Sequence, residues 1–318
     1  MTAGTARAAI GACLLAACVP ASAQGAVPEP ARAAEVAAPA SASASASVTP
    51  LPLRPLWEFG LGAAVLRLPD YRGADQGHTY ALPLPYVVYR GTWLKADREG
   101  ARALLVNTER IKVDVSLAAS TPTRSSDNSA RAGMPNLPGT AEIGPNLNIT
   151  LASGGGGGGG GSGGGGYTSN ASTTWRLDLR LPVRAAVALQ RSPRHVGNTF
   201  SPHLNLDHTV GGWHVGLQAG PLFADRKYHE HFYGVDAAYA TAARPAYAAH
   251  GGYAGWNALA ATSRRFGPMW VGSFVRHDSL RGAVFEPSPL VRRATAWTFG
   301  IGVSWVLAQS SELVPGAD

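Results

Sequence analysis

Four polar residues crowd one stretch of the chain: His203, Asp207, His208 and His214. A histidine near a carboxylate is the raw material of a general base, and the plentiful serines could act as nucleophiles. Asp207 and His208 are sequence neighbours, so in an extended segment they point to opposite faces and cannot form a dyad with each other. The better reading is polar interior residues plus a loop histidine, and no catalytic residue is assigned. His229-Glu230-His231 raises metal chemistry, because a strand would put both imidazoles on one face. Zinc or copper accepts that spacing but needs further ligands, so no metal and no cofactor is assigned. The trio reads instead as polar decoration of a tyrosine-rich loop. Arg176, Arg180 and Arg184 form a one-sided row. In an open pore they would favour anions. In a filled interior they would form ion pairs with Asp178, Asp114, Glu142 and Glu58, which is the favoured expectation because narrow barrels pack their interior with side chains.

Thiol chemistry is confined to the first residues. Arg7 precedes the apolar run Ala8–Val19, and Pro20-Ala21-Ser22-Ala23 follows, with Gln24 after it. A charged start, a short apolar core and an A-x-A site make an export signal over 1–23, cleaved after Ala23. Both cysteines, Cys13 and Cys18, lie inside it, so the mature chain would hold no disulfide, Cys-ligated metal or Cys nucleophile. The alternative is a lipobox at Leu15-Ala16-Ala17-Cys18, which would lipidate Cys18. Residues 24–56 are Ala, Pro and Ser with little that is bulky. Such a composition buries too little apolar surface to order, so this is expected to be a disordered leader. The glycine tract 154–166, interrupted by Ser162, is expected to be a loop insertion.

A net charge of +7 on 318 residues could point to nucleic acid, but the 27 basic residues are scattered, with few adjacent pairs such as Arg264-Arg265. Nucleic-acid binders concentrate charge on one face, so that partner is set aside. Mean hydropathy is −0.02, and no segment after the signal is apolar for the ~20 residues a membrane helix requires.

The elements that must carry these residues alternate. Trp57, Phe59, Leu61, Ala63 and Val65 oppose Glu58, Gly60 and Gly62; Trp175 through Leu189 at odd positions oppose Arg176, Asp178, Arg180 and Arg184; Trp297 through Trp305 oppose Thr298, Gly300, Gly302 and Ser304. Period two puts one face in an apolar medium and the other in a polar one. A soluble β-sandwich and a membrane barrel both satisfy that. The barrel is favoured by Trp57, Trp93, Trp175, Trp213, Trp256, Trp270 and Trp305 recurring at strand ends, as an interfacial girdle requires. A lumen face mixing glycines with charges of both signs points the same way. Thr298-Phe299-Gly300-Ile301-Gly302-Val303-Ser304-Trp305 is similar to the last-strand signal read by the outer-membrane barrel assembly machinery, although thirteen residues follow it. Candidate strands lie near 57–67, 79–89, 92–97, 100–106, 109–120, 140–151, 173–190, 196–210, 212–224, 228–235, 253–264, 267–278 and 295–307, with 92–97 and 100–106 readable as one strand and 228–235 readable as a loop, which leaves eleven or twelve. Even strand numbers allow about ten or about twelve. The expectation is an all-β, transmembrane antiparallel up-and-down barrel of twelve strands over 57–307, with a tail at 308–318.

Three stretches carry a family resemblance: Leu84–Gly91, Asp127–Leu137 ahead of the Glu142-Ile143-Gly144-Pro145 strand, and Tyr228–Val235. Together they resemble the MipA/OmpV (MltA-interacting protein) family of Gram-negative outer membranes, over the whole barrel. The glycine tract and the Ala/Ser leader depart from it. The resemblance implies a non-enzymatic barrel in the cell outer membrane, in contact with outer-membrane lipid. It also implies possible partners: one member is described as a scaffold joining a lytic transglycosylase to a peptidoglycan synthase. Other members are associated with adhesion, osmotic response or antibiotic uptake. A small-solute channel and a surface adhesin therefore stand as alternatives, and the family supplies no agreed binding or catalytic residue to carry over.

Overall fold

The alternation predicts strands whose two faces see different media, and the computed structural model shows them wound into one closed sheet. The structure describes residues 53–91, 94–97, 100–108, 110–155 and 173–315. The signal, most of the leader, Trp93 and most of the glycine tract lie outside them.

The strands are β1 (Leu53–Pro55), β2 (Trp57–Pro69), β3 (Gly77–Arg90), β4 (Leu94–Asp97), β5 (Gly100–Asn107), β6 (Ile111–Ala119) and β7 (Thr140–Gly155). They continue with β8 (Thr173–Ala188), β9 (Arg194–Phe200), β10 (His203–Val210), β11 (Trp213–Ala224), β12 (Gly252–Phe266), β13 (Met269–Ser279), β14 (Thr295–Gln309) and β15 (Leu313–Pro315). Thirteen of them form one antiparallel sheet in which, apart from the break between β9 and β10, each pairs with its sequence neighbours and β14 returns to β2. β9 and β10 share a single stave, interrupted at Ser201-Pro202, where proline cannot donate to the ladder. β8 pairs with β9 through Val183–Ala188 and with β10 through Thr173–Arg180, and this closes the ring. Thirteen strands with two sharing a stave give twelve staves among the described residues. The transmembrane up-and-down barrel is therefore the fold.

Facing follows the pleat. Trp57, Phe59, Leu61 and Val65 on β2, Trp175 and Val183 on β8, and Trp297, Phe299, Ile301 and Trp305 on β14 are exposed on the outer wall. Glu58, Asp178, Thr298 and Ser304 from the same strands are buried inside. In water such a wall would be an unusually large apolar surface; hydrocarbon is the medium it fits. No helix among the described residues is long and apolar enough to cross a membrane.

Three expectations change. Residues 228–235 are not a strand: Arg226–Tyr233 is a helix, α1, because the Asp225 carboxylate caps the Tyr228 amide and Gly234 ends it. Trp270 does not join the girdle. It falls on the inward parity of β13, and its ring lies 6.5 Å from inward Tyr86. The segment after the last long strand does not trail away as a plain tail. β14 runs to Gln309, and β15 pairs antiparallel with β1 in a separate two-stranded sheet, Leu53 opposite Pro315.

The described connections differ between the two ends, and residues 156–172, which join β7 to β8, belong to the end with the short turns. At the end carrying β1 and β15, the turns at 211–212 and 267–268 are two residues long. At the other end lie the long connections 120–139, 225–251 and 280–294.

Candidate functional site

Inside the barrel, charges that are buried need partners. Glu58, 1% exposed, accepts from Arg90 at 2.9 Å and Arg265 at 2.7 Å near the terminus end. Arg176 lies 3.0 Å from Asp178, and Arg180 lies 3.8 Å from Asp178 and 3.5 Å from Asp207. Asp114 accepts from Asn146 and Asn148 at 3.0 and 2.7 Å. The arginine row is thus an interior network, as expected, with the partners redistributed. Arg184 donates to Ser116 and Ser201 instead of pairing closely with an acid, and Glu142 receives Thr199 and Tyr228.

The candidate catalytic residues are spread apart by the pleat. His203 meets its own neighbour's carbonyl, Ser201 O, at 2.7 Å. Asp207 accepts from Asn205 at 2.7 Å, and His214 Nδ1 lies 2.9 Å from Thr209 Oγ1. His208 sits on the outward parity of β10, opposite Trp175. No serine, histidine and acid converge here in the geometry a nucleophile needs. His229 and His231 are two positions apart on a helix, about 200° around its axis, so they do not share a face. No group of three or more His, Cys, Asp or Glu among the described residues could hold a metal.

What the sequence did not reveal is a second core at the long-loop end. Tyr71, Ala130, Leu137, Phe232, Tyr233, Leu280, Phe285 and Leu290 from four connections pack into one buried cluster. Full burial of Phe285, Leu280 and Leu290 stabilises it by roughly 1.5–3 kcal/mol each. Tyr233 and Phe285 stack at 3.7 Å with 9° between ring planes. Hydrogen bonds knit the connections together. Tyr71 donates to Leu290 O at 2.8 Å, Tyr233 to Arg72 O at 3.0 Å, and Ser288 to Tyr233 O at 2.7 Å. Arg131 donates to Phe232 O at 3.3 Å, and Arg244 to Ala130 O and Ala132 O at 3.0 and 2.9 Å. These are carbonyls that no ladder satisfies, so the buried arginines take that role. Two of the stretches behind the family resemblance, Asp127–Leu137 and Tyr228–Val235, meet in this cap.

α1 also reaches the barrel interior. Tyr228 packs against Ala186, Ala188 and Val196, and its hydroxyl donates to Glu142 Oε1 at 2.9 Å. Gly197 permits this approach: its φ is +132°, and a Cβ there would collide with the Tyr228 backbone and Asp225. Burial holds the cap in its neutral forms. It raises the Tyr228 hydroxyl well above its ordinary value, helped by the Glu142 charge, and raises Tyr233 and Tyr71 as well. Burial lowers His229, whose Nδ1 lies 2.6 Å from His250 O. It lowers His231 to about 4, with Arg194 and Arg131 adding to the effect. His229 is therefore fully buried core, not loop decoration, packed 4.6 Å from the Phe285 ring.

Solved structures that resemble the chain include two outer-membrane proteins. One is the outer membrane phospholipase A from Escherichia coli, at 11% identity and TM-score 0.30, covering 82% of this chain and 94% of that one. The other is a porin refined at 1.8 Å, at 10% identity and TM-score 0.27, covering 78% and 99%. Superposition that loose transfers no activity, and the barrel stands on its own strand pairings. No curated protein matches the chain. The model of one family, described as MltA-interacting protein MipA, matches residues 61–307, nearly the whole barrel. The chain belongs to the MltA-interacting protein MipA family.

Proposed function

We propose that this chain is a non-enzymatic barrel of the outer membrane, delivered there by the signal at 1–23, that holds a peptidoglycan-processing partner at its terminus end. The barrel assembly machinery would insert it by reading β14. The observation that carries the reading is occlusion. A loop core covers one end, α1 reaches Glu142, and the Arg176–Asp178–Arg180–Asp207 network lines the interior wall on the adjacent strands β8 and β10. A barrel built this way spends its charges on itself rather than on a permeant ion. Among the described residues around His203, Asp207 and His214, no serine, histidine and acid converge as a hydrolase would need. The family's name supplies the partner class, a lytic transglycosylase, and a synthase is the second partner the resemblance implied. The terminus end offers a rigid place to meet them, since β1 and β15 clamp the chain beside the short turns.

The experiment is capture of a purified lytic transglycosylase by the immobilised full-length barrel, run beside planar-bilayer conductance and lipase assays. Saturable capture with a silent bilayer supports the scaffold. Stable conductance without capture would establish the channel instead, and turnover abolished by one His or Ser change would establish an enzyme.

A further inference from the structure

Alanines make an uneven wall where they cluster on the outside of a barrel. Ala219 on β11 pairs with Ala258 on β12, and Leu217 pairs with Ala260, so small side chains sit side by side across two strands. Leu204, Leu217 and Val275 wall the resulting groove of about 400 Å³, which is almost wholly apolar. His277 and Trp297 border it as well. They belong to its loop-end side, since His277 lies two residues from the end of β13 and Trp297 two residues after the start of β14.

That border is aromatic and basic together. The His277 ring lies between Trp256 at 5.3 Å and Trp297 at 4.6 Å. Trp297 stacks on Phe299 at 6.2 Å, and Phe299 pairs in register with Arg67. Arg67 is exposed on the outward parity of β2, with only the Thr79 hydroxyl at 3.3 Å as its hydrogen-bond partner among the described residues. The loop joining β13 to β14 adds exposed Arg281, Arg292 and Arg293. The backbone amides of Arg292 and Arg293 are pinned to Gly73 O at 2.7 and 3.0 Å, which fixes where their side chains start. The acid of that loop, Glu286, is occupied by the Gly282 amide at 2.7 Å, and the adjoining turn 70–76 exposes Asp75. A cation on a lipid-facing wall needs an anion at headgroup height.

We propose that this wall binds one anionic, phosphate-bearing lipid, its acyl chain in the alanine groove and its phosphate against Arg67, His277 and the β13–β14 loop arginines. Guanidinium groups match phosphate oxygens in geometry and charge, and tryptophans flanking the site hold the interfacial level. The inference rests on the barrel lying in a membrane and is independent of the scaffold role. Lost partner capture would leave it standing, and lost lipid selectivity would leave the scaffold standing.

The test is native mass spectrometry of the full chain in non-ionic detergent with phosphatidylglycerol or phosphatidylcholine of identical acyl chains. Inorganic phosphate serves as competitor. The expected result is one retained phosphatidylglycerol and a preference of about tenfold over phosphatidylcholine, falling to near parity in R67Q/R292Q/R293Q. Filling the groove by A258F should lower retention of both lipids. If the triple variant fails the heat-modifiable gel shift of a folded barrel, R292Q/R293Q alters only exposed loop side chains and should still reduce the preference about threefold. Equal retention of both lipids by the parent protein would overturn the proposal. So would an undiminished preference in a folded variant, or displacement of the lipid by millimolar inorganic phosphate, which would identify a free-anion site.

Discussion

Leu179 and Arg180 are neighbours on β8 that meet different worlds, and exchanging their character should separate lipid from lumen. Leu179 lies on the outward parity, paired with Ile149 on one side and Leu204 on the other. It is four residues along from Trp175 of the terminus-end girdle. At about 3.3 Å per residue that is about 13 Å of strand, or about 10 Å of depth at a tilt near 40°, close to the middle of an apolar band about 25 Å tall. Leu179→Arg should therefore cost about 2–4 kcal/mol, because midplane hydrocarbon offers the charge no partner. Arg180→Leu acts on the other face. It removes contacts to Asp178 and Asp207, yet Asp178 keeps Arg176 at 3.0 Å and Thr150 at 2.9 Å. The loss should be about 1 kcal/mol, the net worth of an ordinary hydrogen bond, because the contacts are long and Asp178 retains other partners. Guanidinium titration of folding into vesicles, followed by tryptophan emission and gel mobility, measures both. The Leu179→Arg penalty should change with bilayer thickness and the Arg180→Leu penalty should not. Equal penalties, or a thickness-dependent Arg180→Leu effect, would refute the facing assignment.

The cap can be loosened from three directions. Tyr228→Phe removes the donor to Glu142 and should weaken protection of 225–251 in hydrogen exchange by about 1–2 kcal/mol, with the strands unchanged. Gly197→Ala places a methyl group against the α1 backbone and should displace the helix, read as faster proteolysis of 225–251 in a barrel that still shows its folded gel mobility. Acid should act through His229 and His231, whose folded pKa values lie below the unfolded value of 6.5. Above 6.5 both states are neutral; below it the opened cap binds protons that the closed cap does not. Cap stability should therefore fall as pH drops from 6.5 toward about 4, where His231 itself titrates, and should be flat above pH 7. Exchange protection that rises on acidification would contradict this.

The wall was legible in the sequence because lipid and lumen impose a strict period of two. β2, β8 and β14 follow it almost residue by residue. β13 was harder. Trp270 and Phe274 point inward, where they lie over positions left without side chains: the Trp270 ring covers Gly272 and the Phe274 ring covers Gly300. An aromatic filling the space above a glycine is indistinguishable, in one dimension, from a girdle residue. α1 left a readable trace, since Asp225 and Gly234 bracket Arg226–Tyr233 as a cap and a stop. The spacing of His229 and His231 drew attention to a strand instead. The cap core was beyond reach. Its contacts join residues as distant as Tyr71 and Leu290, and its arginines serve loop carbonyls whose exposure no local pattern announces.

The small β1–β15 ladder also governs distance. Leu53 and Pro315 face each other across it, so the first and last described residues lie about 5 Å apart. Groups attached at Leu53 and at Pro315 are thereby confined to one small volume. Two weak binders attached there would meet at millimolar effective concentration, whatever their abundance in the surrounding fluid. Breaking that ladder would leave every stave of the barrel in place and still dilute such a pair back to chance encounter.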